Sequence, residues 1–99
     1  MIGISQPPIA FDSFRLHIEE RLCSLGQLEC GEFPMTSREM FRGGKCCGFY
    51  FCIHGPRSVK LVAVYDHGKQ KTIYYGTDGV RRAQESISVL MPSPQRRSA

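Results

Sequence analysis

From Phe11 onward the apolar residues Phe11, Phe14, Ile18, Leu22 and Leu25 recur every three or four positions, which lines them along one face of a helix. The pattern predicts a helix over 11–25, with Asp12 as its N-cap, Gly26 as its stop and Cys23 beside the apolar stripe. After Glu32 the periodicity changes. β-Branched and aromatic residues gather in short runs broken by RGGK, HGPRS, DHGKQ and GTDG, turn signals spaced as sequential hairpins require. These runs predict strands at 35–42, 46–54, 58–66 and 71–76. The segment VRRAQESISVLM reads two ways: Val80, Ala83, Ile87 and Leu90 suit a helix, while the GTDG turn before Val80 suits another hairpin arm.

Alternation within GKCCGFYFCIHGPRSVKLVAVYD assigns faces to the central hairpin. With His54 opposite Ser58 across Gly55-Pro56-Arg57, Ile53 meets Val59, Phe51 meets Leu61, Phe49 meets Ala63 and Cys47 meets Tyr65, all on one side. The other side then carries Cys46, Gly48, Tyr50, Cys52 and His54 opposite Asp66, Val64, Val62, Lys60 and Ser58. The first side is apolar enough to receive the helix; the second is mixed and remains open. The fold expected is therefore α+β in two layers, an N-terminal helix on a four- or five-stranded antiparallel meander. Pro7-Pro8 and the PSPQRRSA tail mark residues 1–10 as a flexible lead and 92–99 as a flexible tail around a single domain at 11–91.

Composition narrows the picture further. Ninety-nine residues with 41% hydrophobic and 22% charged content suit one globular domain, without a membrane-length apolar run. The N-terminal stretch lacks a cationic segment followed by a long apolar one, so no signal peptide is read and a cytoplasmic location is expected. Five cysteines, an odd number without an export signal, are expected to be free thiols. The net charge of +4 hides an asymmetry. Through Phe33 two arginines face five carboxylates, whereas from Pro34 eleven Lys and Arg face only Glu39, Asp66, Asp78 and Glu85. A cationic sheet half beside an acidic helix half bears on partners and association.

Several constellations invite chemistry. Cys52 and His54 project to one side about 6.6 Å apart along the strand, but zinc needs four ligands in paired spacing, and Cys46 lies roughly 20 Å from Cys52. No metal or cofactor is expected. A cysteine nucleophile needs a nearby cation and a histidine base; Cys52 with Lys60 and His54 supplies part of that set, with no recognisable nucleophile turn or oxyanion hole. No catalytic residue is assigned on this basis. His17 is expected on the solvent side of the helix and His67 in a turn. The string from Lys45 through Phe49, Tyr50 and Phe51 to Ile53 resembles the RNP1 motif of RNA-recognition domains over about eight residues. That fold needs a β-α-β-β-α-β order, and the register turns Phe49 and Phe51 inward, leaving Tyr50 and Lys60 outward, with Tyr74 or Tyr75 as further candidates. In HGPRSVKL, Pro56 fixes a turn that presents Arg57, whose planar donor fork suits carboxylate or phosphate. GPRSVKL with the strand after it resembles small uncharacterised bacterial proteins over about half the chain, a resemblance that implies no activity.

The function expected from these residues is non-enzymatic binding of an acidic protein or a nucleic acid by the basic sheet face, with Arg57, Lys60, Tyr50 and Lys45 as the contacting residues. A small cysteine-dependent enzyme using Cys52 and His54 is the alternative from another class. A homo-oligomer pairing through exposed sheet edges is the third. No membrane partner is expected.

Overall fold

A computed structural model describes residues 9–90. Its elements follow in the order α1 (Phe11–Gly26), β1 (Met35–Arg42), β2 (Lys45–His54), a 3-10 turn (Pro56–Ser58), β3 (Lys60–Asp66), β4 (Lys71–Tyr75) and β5 (Arg81–Ser86). The five strands form one antiparallel sheet in chain order, and α1 lies across β2 and β3. Two layers of α+β type result. Among the described residues no helix is long and apolar enough to cross a membrane. The ambiguous segment after GTDG is a strand, β5, because pairing with β4 satisfies its backbone and turns Ala83 and Glu85 toward the helix layer. The expected lead and tail fall largely outside the described residues. Ile9, within the expected lead, forms a parallel bridge to the buried Val89, with its N–H donating to the Ser88 carbonyl at 3.0 Å.

The helix stripe is largely as read. Phe14, Ile18 and Leu22 are fully buried against Phe49, Phe51, Ile53, Leu61, Ala63 and Tyr65. Each such side chain contributes about 1.5–3 kcal/mol by leaving water. Leu25, expected in the stripe, is 40% exposed, because the helix closes one residue later. That closure is a Schellman-type end: the Gln27 N–H donates to the Ser24 carbonyl and the Leu28 N–H to the Cys23 carbonyl. The left-handed residue is Gln27, with φ 56, and not the glycine before it. Gly26 is held for another reason, since a Cβ there would run into the buried Leu61 side chain. Asp12 is not the N-cap either; Ala10 takes that position and Asp12 sits in the first turn, where its charge favours the helix N-terminus.

The hairpin register differs from the expected one by two residues. His54 pairs with Lys60, Ile53 with Leu61, Phe51 with Ala63 and Phe49 with Tyr65. Five residues form the loop, because Pro56 starts a 3-10 turn in which Val59 N–H donates to the Pro56 carbonyl and Gly55 N–H to the Val59 carbonyl. A shift of two leaves every side chain on its expected face, so the core assignment survives. At the other end of β2 a bulge between Met40 and Phe41 reverses parity. Cys46, expected outward, packs against the core, and the Cys47 carbonyl accepts the His67 N–H at 2.9 Å. His67 lies in the β3–β4 turn, as expected.

His17 is not a solvent-side residue. Its Nε2 lies 3.0 and 3.1 Å from the two carboxylate oxygens of Glu85, to which it donates, since a carboxylate only accepts. Tyr74 Oη donates to the same Glu85 at 2.6 Å, and Arg21 Nε stands 3.7 Å away, with its guanidinium 5.5 Å from the Tyr74 ring centroid. This polar knot ties α1 to β4 and β5 where the apolar core ends.

Candidate functional site

The helix covers one face of the sheet, and among the described residues nothing lies over the other. Alternation from the observed pairings puts Thr36, Arg38 and Met40 of β1 on the open face beside Tyr50, Cys52 and His54 of β2. Lys60, Val62 and Val64 of β3 follow, then Lys71, Ile73 and Tyr75 of β4, with Arg81 and Gln84 of β5 at the far edge. Continued past the bulge, the same alternation adds Arg42 and Lys45. The sheet therefore sorts its charge by face. Arg38, Arg42, Lys45, Lys60, Lys71 and Arg81 share the open side with one strand carboxylate, Asp66, while Glu39 and Glu85 project to the helix side.

On this side Thr36, Ser37, Arg38, Tyr50, Cys52, His54 and Lys60 line a basin of about 360 Å³. Its floor is half-apolar. The Arg38 guanidinium lies 5.1 Å from the Tyr50 ring centroid, a cation–π contact that leaves the charge on the surface. At the other side Thr36 Oγ1 and His54 Nε2 are hydrogen-bonded at 3.0 Å across β1 and β2. Lys60 is exposed opposite His54. The basin is a half-open depression toward which polar groups converge, so any occupant would keep one side in solvent.

The expected site residues are distributed as follows. Tyr50 and Lys60 meet in the basin. Lys45 lies on the same face at the other end of β2, five residues from Tyr50, on the order of 17 Å along the strand. Arg57 stands exposed at the tip of the 3-10 turn, outside the basin lining, with φ 58, and Ser58 follows at φ 64. Two consecutive non-glycine residues in the left-handed region cost about 1–2 kcal/mol each. Such strain persists where the surroundings fix it, and the fixing groups here are the two backbone hydrogen bonds that close the loop. Arg38 and Thr36 were missed in the sequence. A register run straight from the turn at Arg42 and Lys45 would put Arg38 opposite Phe49 on the helix side, and only the bulge at Cys47 brings it opposite Tyr50.

Cys52 and His54 are neighbours on this face, and each is hydrogen-bonded to another group. Burial pushes the Cys52 thiol above its usual pKa, with the Lys60 charge opposing it, and its Sγ donates to its neighbour's carbonyl on Ile53 at 3.8 Å. His54 is engaged by Thr36. A nucleophilic thiol needs the opposite shift. Among the described residues no group of three His, Cys, Asp or Glu side chains is placed to hold a metal ion. The RNP1-like string has its Phe49 and Phe51 in the core, so any base platform on this sheet is built on the opposite parity, from Tyr50 and Tyr75. Compared with protein-family models, with curated proteins and with solved structures, the chain finds no match in any of the three, and its functional reading rests on this geometry.

Proposed function

We propose that the protein is a non-enzymatic binding module whose open sheet face takes an anionic partner, an acidic protein or a nucleic acid. The observation that carries this reading is the sorting of charge by face: six cations and one strand carboxylate on the uncovered side. A face on which one sign dominates, with no covering layer among the described residues, concentrates opposite charge and speeds its encounter. Arg57 extends the same field from the strained hairpin tip, and its planar fork can bind carboxylate or phosphate in a bidentate manner.

Retention on an immobilised sulfated polysaccharide tests the reading. The wild-type chain should be retained at low salt and released as salt screens the field. Replacing Lys60 and Arg57 by Glu should release it at much lower salt, whereas Glu19→Gln with Glu20→Gln on α1 should leave retention unchanged or strengthen it. Equal elution of the wild type and the Lys60/Arg57 variant would remove the basis of the proposal.

A further inference from the structure

Two half-buried tyrosines share the open face. Tyr50 lies on β2 and Tyr75 on β4, with Val62 and Val64 of β3 between them, because Tyr50 pairs with Val64 and Val62 pairs with Tyr75. Two interstrand spacings and a two-residue offset put the rings on the order of 12 Å apart on a diagonal. The strip between them is apolar and half-buried, and among the described residues no helix or loop lies above it. Cations surround it: Arg38 pairs with Tyr50, and Arg81 pairs with Tyr75. Lys60 lies two residues beyond Val62 on the Tyr75 side, while Lys71 lies two residues beyond Val64 on the Tyr50 side, paired with Asp66. An acidic polypeptide would use the cations and have little use for two aromatic faces held in a fixed diagonal. A chain that carries both regular negative charge and flat apolar rings would use all of it.

We propose that the ligand of this face is a single-stranded nucleic acid, laid along the Tyr50–Tyr75 diagonal with one base seated in the basin. This rests on the anion-binding reading above and names its partner. The base in the basin stacks on Tyr50 beside Arg38, which already lies 5.1 Å from that ring centroid. From there the guanidinium reaches the base plane or the adjoining phosphate. Thr36 and His54, hydrogen-bonded to each other at the basin edge, offer partners for a sugar hydroxyl. The strand then crosses between Val62 and Val64 to place a later base on Tyr75, where Lys60 and Arg81 take phosphates. Stacking accepts any base, so recognition is tolerant of sequence.

Strandedness follows from the spacing. Neighbouring bases in a duplex strand rise by about 3.4 Å and cover one another's faces. Rings about 12 Å apart can be used only by bases splayed out of such a stack. Duplex should therefore bind through the cations alone.

Fluorescence anisotropy with labelled oligouridine and oligothymidine, the corresponding duplex, and poly-L-glutamate tests this. Wild type should bind the single strands at least about tenfold more tightly than duplex or polyglutamate. Tyr50→Ala and Tyr75→Ala should each weaken single-strand binding about 5- to 150-fold, the equivalent of one lost base stack, and leave polyglutamate binding unchanged. Tyr50→Phe, which keeps the ring, should restore the affinity. Lys60→Glu should weaken both ligands. If the tyrosine variants bind single strands as wild type does while Lys60→Glu weakens every polyanion, the nucleic-acid inference is overturned and the anion-binding reading stands. If wild type binds no polyanion, both fail. Unchanged circular dichroism and melting of each variant keep a folding defect from mimicking either result.

Discussion

Removing one atom from the polar knot, in Tyr74→Phe, tests how the helix is locked to the far side of the sheet. Tyr74 is fully buried and its hydroxyl donates to Glu85 at 2.6 Å, short enough for a charge-assisted bond. Hydrogen bonds to charged groups contribute about 1.5–3 kcal/mol. The Glu85 side chain keeps 26% of its exposure, so water can replace part of the loss and the expected cost is about 1–2 kcal/mol near neutral pH. The pH dependence has a definite sign. Burial raises the Glu85 carboxyl, but the Tyr74 and His17 hydrogen bonds and the charges of His17 and Arg21 outweigh it and hold the carboxyl below its usual range. A depressed carboxyl contributes stability that is fully present above its unfolded pKa of about 4.3 and is lost as pH falls through the folded value. Urea melts of wild type and Tyr74→Phe near pH 7 and near pH 3 measure both parts, since a domain of this size unfolds in one step. The gap between the two proteins should shrink in acid, as the Glu85 carboxyl protonates and the bond from Tyr74 loses its charge assistance. A gap below about 0.5 kcal/mol at neutral pH, or one that widens in acid, would refute the reasoning.

Other substitutions probe single features by the same melts. Phe51 is fully buried among Phe11, Phe14 and Phe49, so Phe51→Ala should cost about 3–5 kcal/mol, and a loss under about 1 kcal/mol would contradict the packing described. Gln27→Gly should stabilise by about 1 kcal/mol, because Gln27 occupies the left-handed position that ends α1. Thr72 is fully buried with Oγ1 unpartnered, so Thr72→Val should be neutral or stabilising by up to about 1–2 kcal/mol, and a clear loss would point to a partner for that hydroxyl. Gly48→Ala should destabilise, since the added Cβ would collide with the Tyr65 carbonyl, a backbone atom that cannot turn aside; a melt equal to wild type would show that β2 and β3 can part there.

Much of the fold was written in periodicity. The four-residue steps of Phe14, Ile18 and Leu22 and the alternation of Phe49, Phe51 and Ile53 placed the core, because burial on one face is what such spacing produces. What periodicity does not carry is register. Pro56 lengthened a loop and slid β3 by two residues, which alternation cannot detect because a slip of two keeps every face. The bulge at Cys47 was invisible for a related reason: one extra residue in a strand leaves no mark in composition, yet it turned the half-buried Cys46 toward the core. Of the site, Tyr50 and Lys60 were legible because their partners on β2 and β3 are close in sequence. Arg38 was not, since it reaches the basin from the edge strand, and its role depends on a pairing that only the fold establishes. His17 read as a surface residue because its partner, Glu85, lies sixty-eight residues away. The charge asymmetry along the chain became an asymmetry between faces once the strands were paired.

Chemical-shift mapping with a short single-stranded oligonucleotide tests most directly whether the open basic face is where an anion binds. Titrated at low salt, the oligonucleotide should move the resonances of Arg38, Tyr50, His54 and Lys60 most, with Tyr75 following and Glu19 and Glu20 on α1 unmoved. The shifts should fade as salt is raised toward physiological strength, where screening falls to about 8 Å. Shifts clustered on α1, or no shifts at low salt, would contradict the account.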